Sequence, residues 1–277
     1  MISESLKKFA RTIGQNEKIS EVIVGVSSTM VILETQKAGT AMHYQKTWEG
    51  NIRPGSCNLQ TGNYRDFKTD TTIKNIKIHT DEKNQIWKGK YLCELTEQLG
   101  SHDSLNSSLA LAGINALCMK LNEGFENINF IEELEIQPDM VCGIIGYFSP
   151  VMEKLKKYSR KVYIFELIDH PDVLPISCEP ELLPECDIII ATGTTIVNDT
   201  FDDIDKLVKT GQKFILAGPT TPLSTIPFLN THVTELAGSI ITDVESVRNG
   251  MINGDSGRKL RKYMDKRIIR LNRNMSL

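Results

Sequence analysis

Apolar residues are distributed along the chain in three textures. At the start, Leu6, Phe9, Ala10 and Ile13 fall at three- and four-residue steps, which predicts a helix over residues 1 to about 15. The run VIVGVSSTMVILETQKAGTAMHY then breaks at Gly25, at Ser27 and Ser28, and between Lys37 and Gly39, and predicts a small antiparallel meander. From Thr47 to Lys90 the chain is polar and rich in Asn, Thr, Gly and Lys. It predicts a long loop with one weak strand at TTIKNIKIHT.

The second texture is helical. YLCELTEQL and SHDSLNSSLALAGINALCMKL place Leu105, Leu109, Ala112, Ala116 and Met119 or Lys120 at helical steps. Ala110, Ala112, Gly113 and Ala116 are small enough to predict close packing against a sheet or a second helix. Asn115 lies inside that small-residue run, where the structural alternative is an exposed helical asparagine.

From about residue 125 the pattern changes again. MVCGIIGYF, KVYIFELI, DIIIATGTT, KFILAGPTT and TELAGSIIT are short apolar runs. SPVMEKLKKYS, TFDDIDKLVKTG and VESVRNGMING read as helices between them. Strands buried on both faces have this texture, so a doubly wound parallel α/β sheet follows. The expected division is a smaller α+β domain over 1–124 and an α/β domain over 125–277.

Composition narrows the function classes. The 277 residues are 40% hydrophobic and 24% charged, enough for two domains of ordinary size. With 35 acidic and 32 basic side chains the net charge is −3, which implies no overall attraction to nucleic acid or membrane. The start lacks the apolar core of a signal peptide and no stretch approaches a membrane span, so the chain reads as cytoplasmic. Cys57, Cys93, Cys118, Cys142, Cys178 and Cys186 form no CxxC pair, and this argues against disulfides and a closed zinc site.

In such a sheet ligands bind beyond the carboxyl ends of the strands. The third strand ends in TGTTIVNDT, where the Gly193 turn, its free N–H groups and the hydroxyls of Thr192, Thr194 and Thr195 could receive an anion. The structural alternative is a helix start capped by Thr200 with Asp203, which also accounts for Asn198. The fourth strand ends in AGPTTPLS, where Pro219 and Pro222 stiffen the loop that carries Thr220 and Thr221. Two hydroxyl-rich loops at one sheet edge predict a polar small-molecule pocket. Glu166, ending the second strand, is the ionisable group best placed to act as acid or base, with a solvated carboxylate as the alternative.

Two rival chemistries stay open. Gly143, Gly146 and Glu166 form a fragment of a dinucleotide fingerprint for a cofactor such as NAD, although Tyr147 and Phe148 would crowd a pyrophosphate. Asp169, His170, Cys178 and Cys186 are conceivable direct metal ligands without a diagnostic spacing. The tail GRKLRKYMDKRIIRLNR, with eight basic residues and one acid, reads as a solvated terminal helix or a contact for an anionic partner.

GYFSPVMEKL, KVYIFEL, TGTTIVNDT, AGPTTPLS and ELAGSII, in this order, resemble the Rossmann-like domain of the putative heavy-metal chelation family. VIVGVSSTMVIL and GKYLCELTEQL with SLALAGINALC resemble its N-terminal domain, which is similar to the small N-terminal domain of enolases. The resemblance implies a pocket between the domains. It carries over as lining residues Asn115, Glu166, Thr192, Gly193, Thr195, Asn198, Thr200, Gly218, Pro219, Thr221, Pro222 and Gly238. Asp199 stands where glycine is expected, and Thr220 where serine is usual. The implied partner is a small-molecule ligand, a metal chelator or a metal complex. Catalysis, cofactor, strand order and assembly into a homo-oligomer stay open.

Overall fold

A computed structural model describes residues 1–42, 70–121, 125–146, 148–166 and 172–271. Helix α1 (Ile2–Ile13) is followed by β1 (Ile19–Val24), β2 (Ser28–Leu33) and β3 (Ala38–Met42), an antiparallel sheet in the order β1-β2-β3. Helices α2 (Asp70–Trp87), α3 (Leu92–Thr96), α4 (Ser104–Leu121) and α5 (Phe130–Glu133) come next. Then come β4 (Val141–Ile145), α6 (Ser149–Tyr158), β5 (Lys161–Phe165), α7 (Glu179–Leu182), β6 (Ile188–Thr192), α8 (Thr194–Val197) and α9 (Phe201–Leu207). The chain continues through β7 (Lys213–Ala217), β8 (Glu235–Ile241), α10 (Val244–Ile252), α11 (Arg258–Arg261) and β9 (Met264–Arg270).

The larger sheet has the order β5-β4-β6-β7-β8-β9, its first five strands parallel and β9 antiparallel on β8. Strand order reverses between β4 and β6, so the loop after β4 faces the loop after β6. One sheet face, with Ile144, Ile164, Ile190 and Ile215, packs under Val151, Met152 and Leu155 of α6. The other face shares a core with the N-terminal elements: Phe214, Leu216, Phe201 and Leu236 belong to the same cluster as Leu6, Phe9, Leu109 and Leu117.

The small sheet is likewise buried on both faces. Val22, Val31 and Leu33 face α1 and α4, while Ile23, Met30 and Ile32 face Val247 and Met251 of α10. This explains why its strands read as apolar runs rather than alternations. Gly39 carries the closest approach. A Cβ there would lie 2.2 Å from the Ala116 amide nitrogen and 2.3 Å from the Ala112 carbonyl oxygen. The small-residue run of α4 therefore packs directly on β3.

Two expectations are corrected. TTIKNIKIHT lies in helix α2, not in a strand. Ile76, Thr80 and Trp87 are buried and Asn84 faces β1, a spacing that fits one helix face and not strand alternation. Asn84 exchanges two hydrogen bonds with the backbone of Val22 (2.8 and 2.9 Å), and the Thr80 hydroxyl accepts from the Val24 amide at 3.1 Å. Side chains of α2 thus complete the open edge of β1. The basic tail also departs from a helix. After the short α11 it forms β9, where Arg270 pairs with Glu126 and Glu133 and Arg267 bonds to Asp265 and Asn127.

Candidate functional site

The loops after β6 and β7 touch through main chain. A Cβ on Gly193 would come within 2.7 Å of the Thr221 nitrogen and 2.8 Å of the Thr220 carbonyl carbon, so no side chain fits there. Gly218, at φ +107°, turns the chain out of β7, and the Thr221 amide donates to the Gly218 carbonyl at 3.1 Å. Pro219 occupies the second position of that turn, where its fixed φ is favoured, and Pro222 is buried behind it. Gly238 lies inside β8, where its missing side chain makes room for Leu223, 2.8 Å from the absent Cβ. These glycines and prolines position the loop and contribute no donor side chains of their own.

The threonine hydroxyls of the first loop turn largely upon the loop itself. Thr192 and Thr194 hydroxyls are 3.0 Å apart, the Thr194 amide donates to Thr192 Oγ1 at 3.3 Å, and Thr195 Oγ1 donates to the Thr192 carbonyl at 2.8 Å. Thr194 and Thr195 are buried. The capping box at Thr200 is not formed: the Thr200 hydroxyl reaches back to the Thr195 carbonyl at 3.4 Å. Asp202 instead accepts from the Ile2 amide at 2.9 Å, serving the start of α1. Asn198 is half-buried and Thr200 exposed, on the side of the loop where Asp199 meets Ser3.

Asn115 stands across the contact. Its Nδ2 donates to the Thr40 carbonyl at 2.8 Å and to the Thr220 carbonyl at 3.1 Å. The Met42 amide donates to Thr220 Oγ1 at 3.0 Å. Residues 40 and 42 face the same way along edge strand β3, so Asn115 and Thr220 supply the partners a fourth strand would have given. The exposed-asparagine alternative is thereby displaced, since Asn115 is only 9% exposed. Among the described residues, two oxygens at this contact have no partner: Asn115 Oδ1 and Thr221 Oγ1, both buried. Residue patterns pointed to Thr221 and the family resemblance to Asn115, but neither gave a sign that β3 would present its open edge to them.

Glu166 follows β5, at the edge of the sheet. Three strand steps separate β5 from β7, roughly 14 Å at ordinary strand spacing, so Glu166 stands apart from Asn115 and Thr221. Gly143 lies within β4, where its bare backbone accommodates Cys186 Sγ at 3.0 Å from the missing Cβ, so it is not a turn glycine. Gly146 (φ +100°) is the turn, against Thr192. The Phe148 ring approaches both Gly146 and Gly218, at 3.4 and 3.6 Å from where their Cβ atoms would be, and lies over the strand ends that a pyrophosphate would approach.

Of the proposed metal ligands, Asp169 and His170 lie outside the described residues. Cys178 is half-buried, and Cys186 is buried with its thiol pushed up to about 12 by burial, which keeps it protonated. Among the described residues no three His, Cys, Asp or Glu side chains gather as ligands. The described residues therefore do not fit direct thiolate capture of a soft metal. No described helix is long and apolar enough to cross a membrane.

Residues 6–118 and 129–270 match two family models, DUF4213 and DUF364, both described as "Putative heavy-metal chelation". An uncharacterized protein of Methanocaldococcus jannaschii is 32% identical over 183 residues, covering 63% of this chain and 70% of the relative. A crystal structure of a DUF364-family protein of unknown function from Pyrococcus horikoshii superposes with a TM-score of 0.75 at 23% identity, covering 98% of this chain and 100% of that one. Another from Desulfitobacterium hafniense gives 0.74 at 17% identity, covering 98% of each chain. Both share this mixed α/β fold.

Proposed function

The chain belongs to the putative heavy-metal chelation family, and we propose that it binds a small polar molecule where α4 and β3 meet the loops after β6 and β7. The ligand in this reading is a metal chelator or its metal complex, with the metal as cargo. One observation carries it. Asn115 Oδ1 and Thr221 Oγ1 are buried without partners among the described residues, on elements that face each other, and an unpaired buried polar atom costs about 1–3 kcal/mol. A ligand offering a donor to the amide oxygen and either role to the hydroxyl would remove that cost. Amide and hydroxyl oxygens suit the organic part of a chelate, as recognition by hydrogen bonds requires. The loop glycines and prolines hold the Thr221 oxygen, and the two Nδ2 hydrogen bonds hold that of Asn115, before the ligand arrives.

Mass spectrometry of small molecules carried by the natively purified protein, with elemental analysis of the same sample, tests the reading. The expected result is a stoichiometric small molecule on the wild type that Thr221→Val loses. Equal retention by both proteins, or nothing retained even after incubation with metal-loaded chelators, would overturn it.

A further inference from the structure

We propose a second binding site, for a small oxyanion of the phosphate class, at the edge of the large sheet opposite the threonine loops. A groove of about 310 Å³ is formed there by the turn from Lys209 to Lys213 with His232 and Thr234. Lys213 opens β7 and Gly218 follows its end, so the groove lies roughly 16 Å along the strand from the Asn115 contact and is independent of it.

The groove has a consistent chemistry in a chain whose net charge is negative. Its lining residues include Lys209, Lys213, His232 and Thr210, and no aspartate or glutamate. The nearby acids stand behind these groups and orient them. Asp205 accepts from the His232 amide at 2.7 Å and holds His232 Nδ1 at 3.3 Å, leaving Nε2 as the ring nitrogen for the groove. Glu235 pairs with Lys213 at 2.8 Å, while Arg270 is held by Glu126 and Glu133, so Lys209 is the lining cation with no carboxylate partner among the described residues.

The turn is also fixed in advance. Gln212 Oε1 accepts from the Lys209 amide at 2.6 Å, and the Gln212 amide donates to the Lys209 carbonyl at 3.2 Å. The Gln212 side-chain nitrogen donates to the carbonyls of Leu183 (3.0 Å) and Cys186 and ties the turn to the neighbouring layer. Gly211 (φ +96°) has no heavy atom within 4 Å of its missing Cβ, which leaves the turn backbone approachable. The free Lys209 ammonium, the carboxylate-anchored Lys213 and His232, and an open backbone turn together match a tetrahedral oxyanion.

Isothermal titration of the full chain with inorganic phosphate, and in parallel with a simple phosphomonoester, decides the matter at fixed salt. Saturable binding of either with Kd below about 1 mM is expected, and which one binds tells free phosphate from an ester. Lys209→Gln, at an exposed position, and His232→Ala should each weaken it about fivefold or more, while Lys259→Gln on α11 should not. No saturation with either anion up to about 20 mM, or an equal loss from Lys259→Gln, would overturn the site. Circular dichroism of each variant confirms that a loss is not unfolding.

Discussion

Thr221→Val and Asn115→Ala should move stability in opposite directions, although both residues border the same contact. The Thr221 hydroxyl is buried with no partner among the described residues, so the ligand-free protein carries its desolvation cost. Valine keeps the branched shape and removes the oxygen. Thr221→Val should leave stability unchanged or raise it by up to about 1 kcal/mol, the low end of the cost of an unpaired group. Asn115→Ala removes two donors from the buried carbonyls of Thr40 and Thr220. Two net hydrogen bonds at about 1 kcal/mol each and a small cavity, offset in part by relief of the unpaired Oδ1, give a loss of about 1–3 kcal/mol.

Urea unfolding followed by tryptophan fluorescence measures both, with equal m-values confirming that the denatured states are comparable. A loss above about 1 kcal/mol for Thr221→Val, with Asn115→Ala within about 0.5 kcal/mol of wild type, would refute the reasoning. That outcome would mean the hydroxyl already has a partner and the amide serves no strand edge.

Asp199 holds φ +59°, so Asp199→Ala should cost about 1 kcal/mol in urea unfolding while Asp199→Gly stays within about 0.5 kcal/mol of wild type. Gly193→Ala would force the two loops apart against backbone atoms at 2.7 to 2.9 Å and should lower stability by about 1–3 kcal/mol, read by the same unfolding curves. Burial pushes the Glu179 carboxyl up to about 7 in the folded chain, above its ordinary value of 4.5. The unfolded chain then loses its proton first, so the destabilisation grows as pH rises from about 4.5 to 7 and is constant above. Allowing for solvent screening of a partly buried group, Glu179→Gln should raise stability at pH 8 by about 1–2 kcal/mol and leave it unchanged near pH 4, as paired melts would record.

The parallel sheet was legible because buried strands leave apolar runs of a length that a helix does not need. The meander was legible from its breaks at Gly25 and Lys37 to Gly39. Helix α2 was misread because its inward face is carried by Ile76, Thr80, Asn84 and Trp87, and two of these four are polar. Thr80 and Asn84 face inward only because β1 offers them an unpaired edge, a fact of tertiary structure. The tail was misread because its charges suggested solvent, whereas Arg270 is held by acids more than 130 residues earlier in the chain. The threonine-bearing connections were placed correctly at the ends of β6 and β7, although Thr194 and Thr195 open the short helix α8 and not a loop. Their hydroxyls could not be apportioned from sequence, since bonds within the loop and bonds to a ligand call for the same residue types.

The contact between the two sheets gives the hydroxyl-rich loops a folding role before any binding role. Edge strand β3 leaves the Thr40 carbonyl and the Met42 amide pointing at the larger sheet, and buried groups of that kind must find partners. Asn115 and Thr220 provide them, while Ser107 donates to the Val197 carbonyl at 3.0 Å and Arg248 clasps Glu21 with two bonds of 2.6 and 2.8 Å. With Leu6 and Leu109 in one core with Phe214 and Leu236, neither sheet buries its apolar faces alone. Folding therefore accounts for Thr192, Thr194, Thr195, Thr220 and one end of Asn115. It does not account for Thr221 Oγ1 or Asn115 Oδ1, because a contact selected only for stability would favour valine at 221. The two oxygens left over, not the number of threonines, are what point to a ligand.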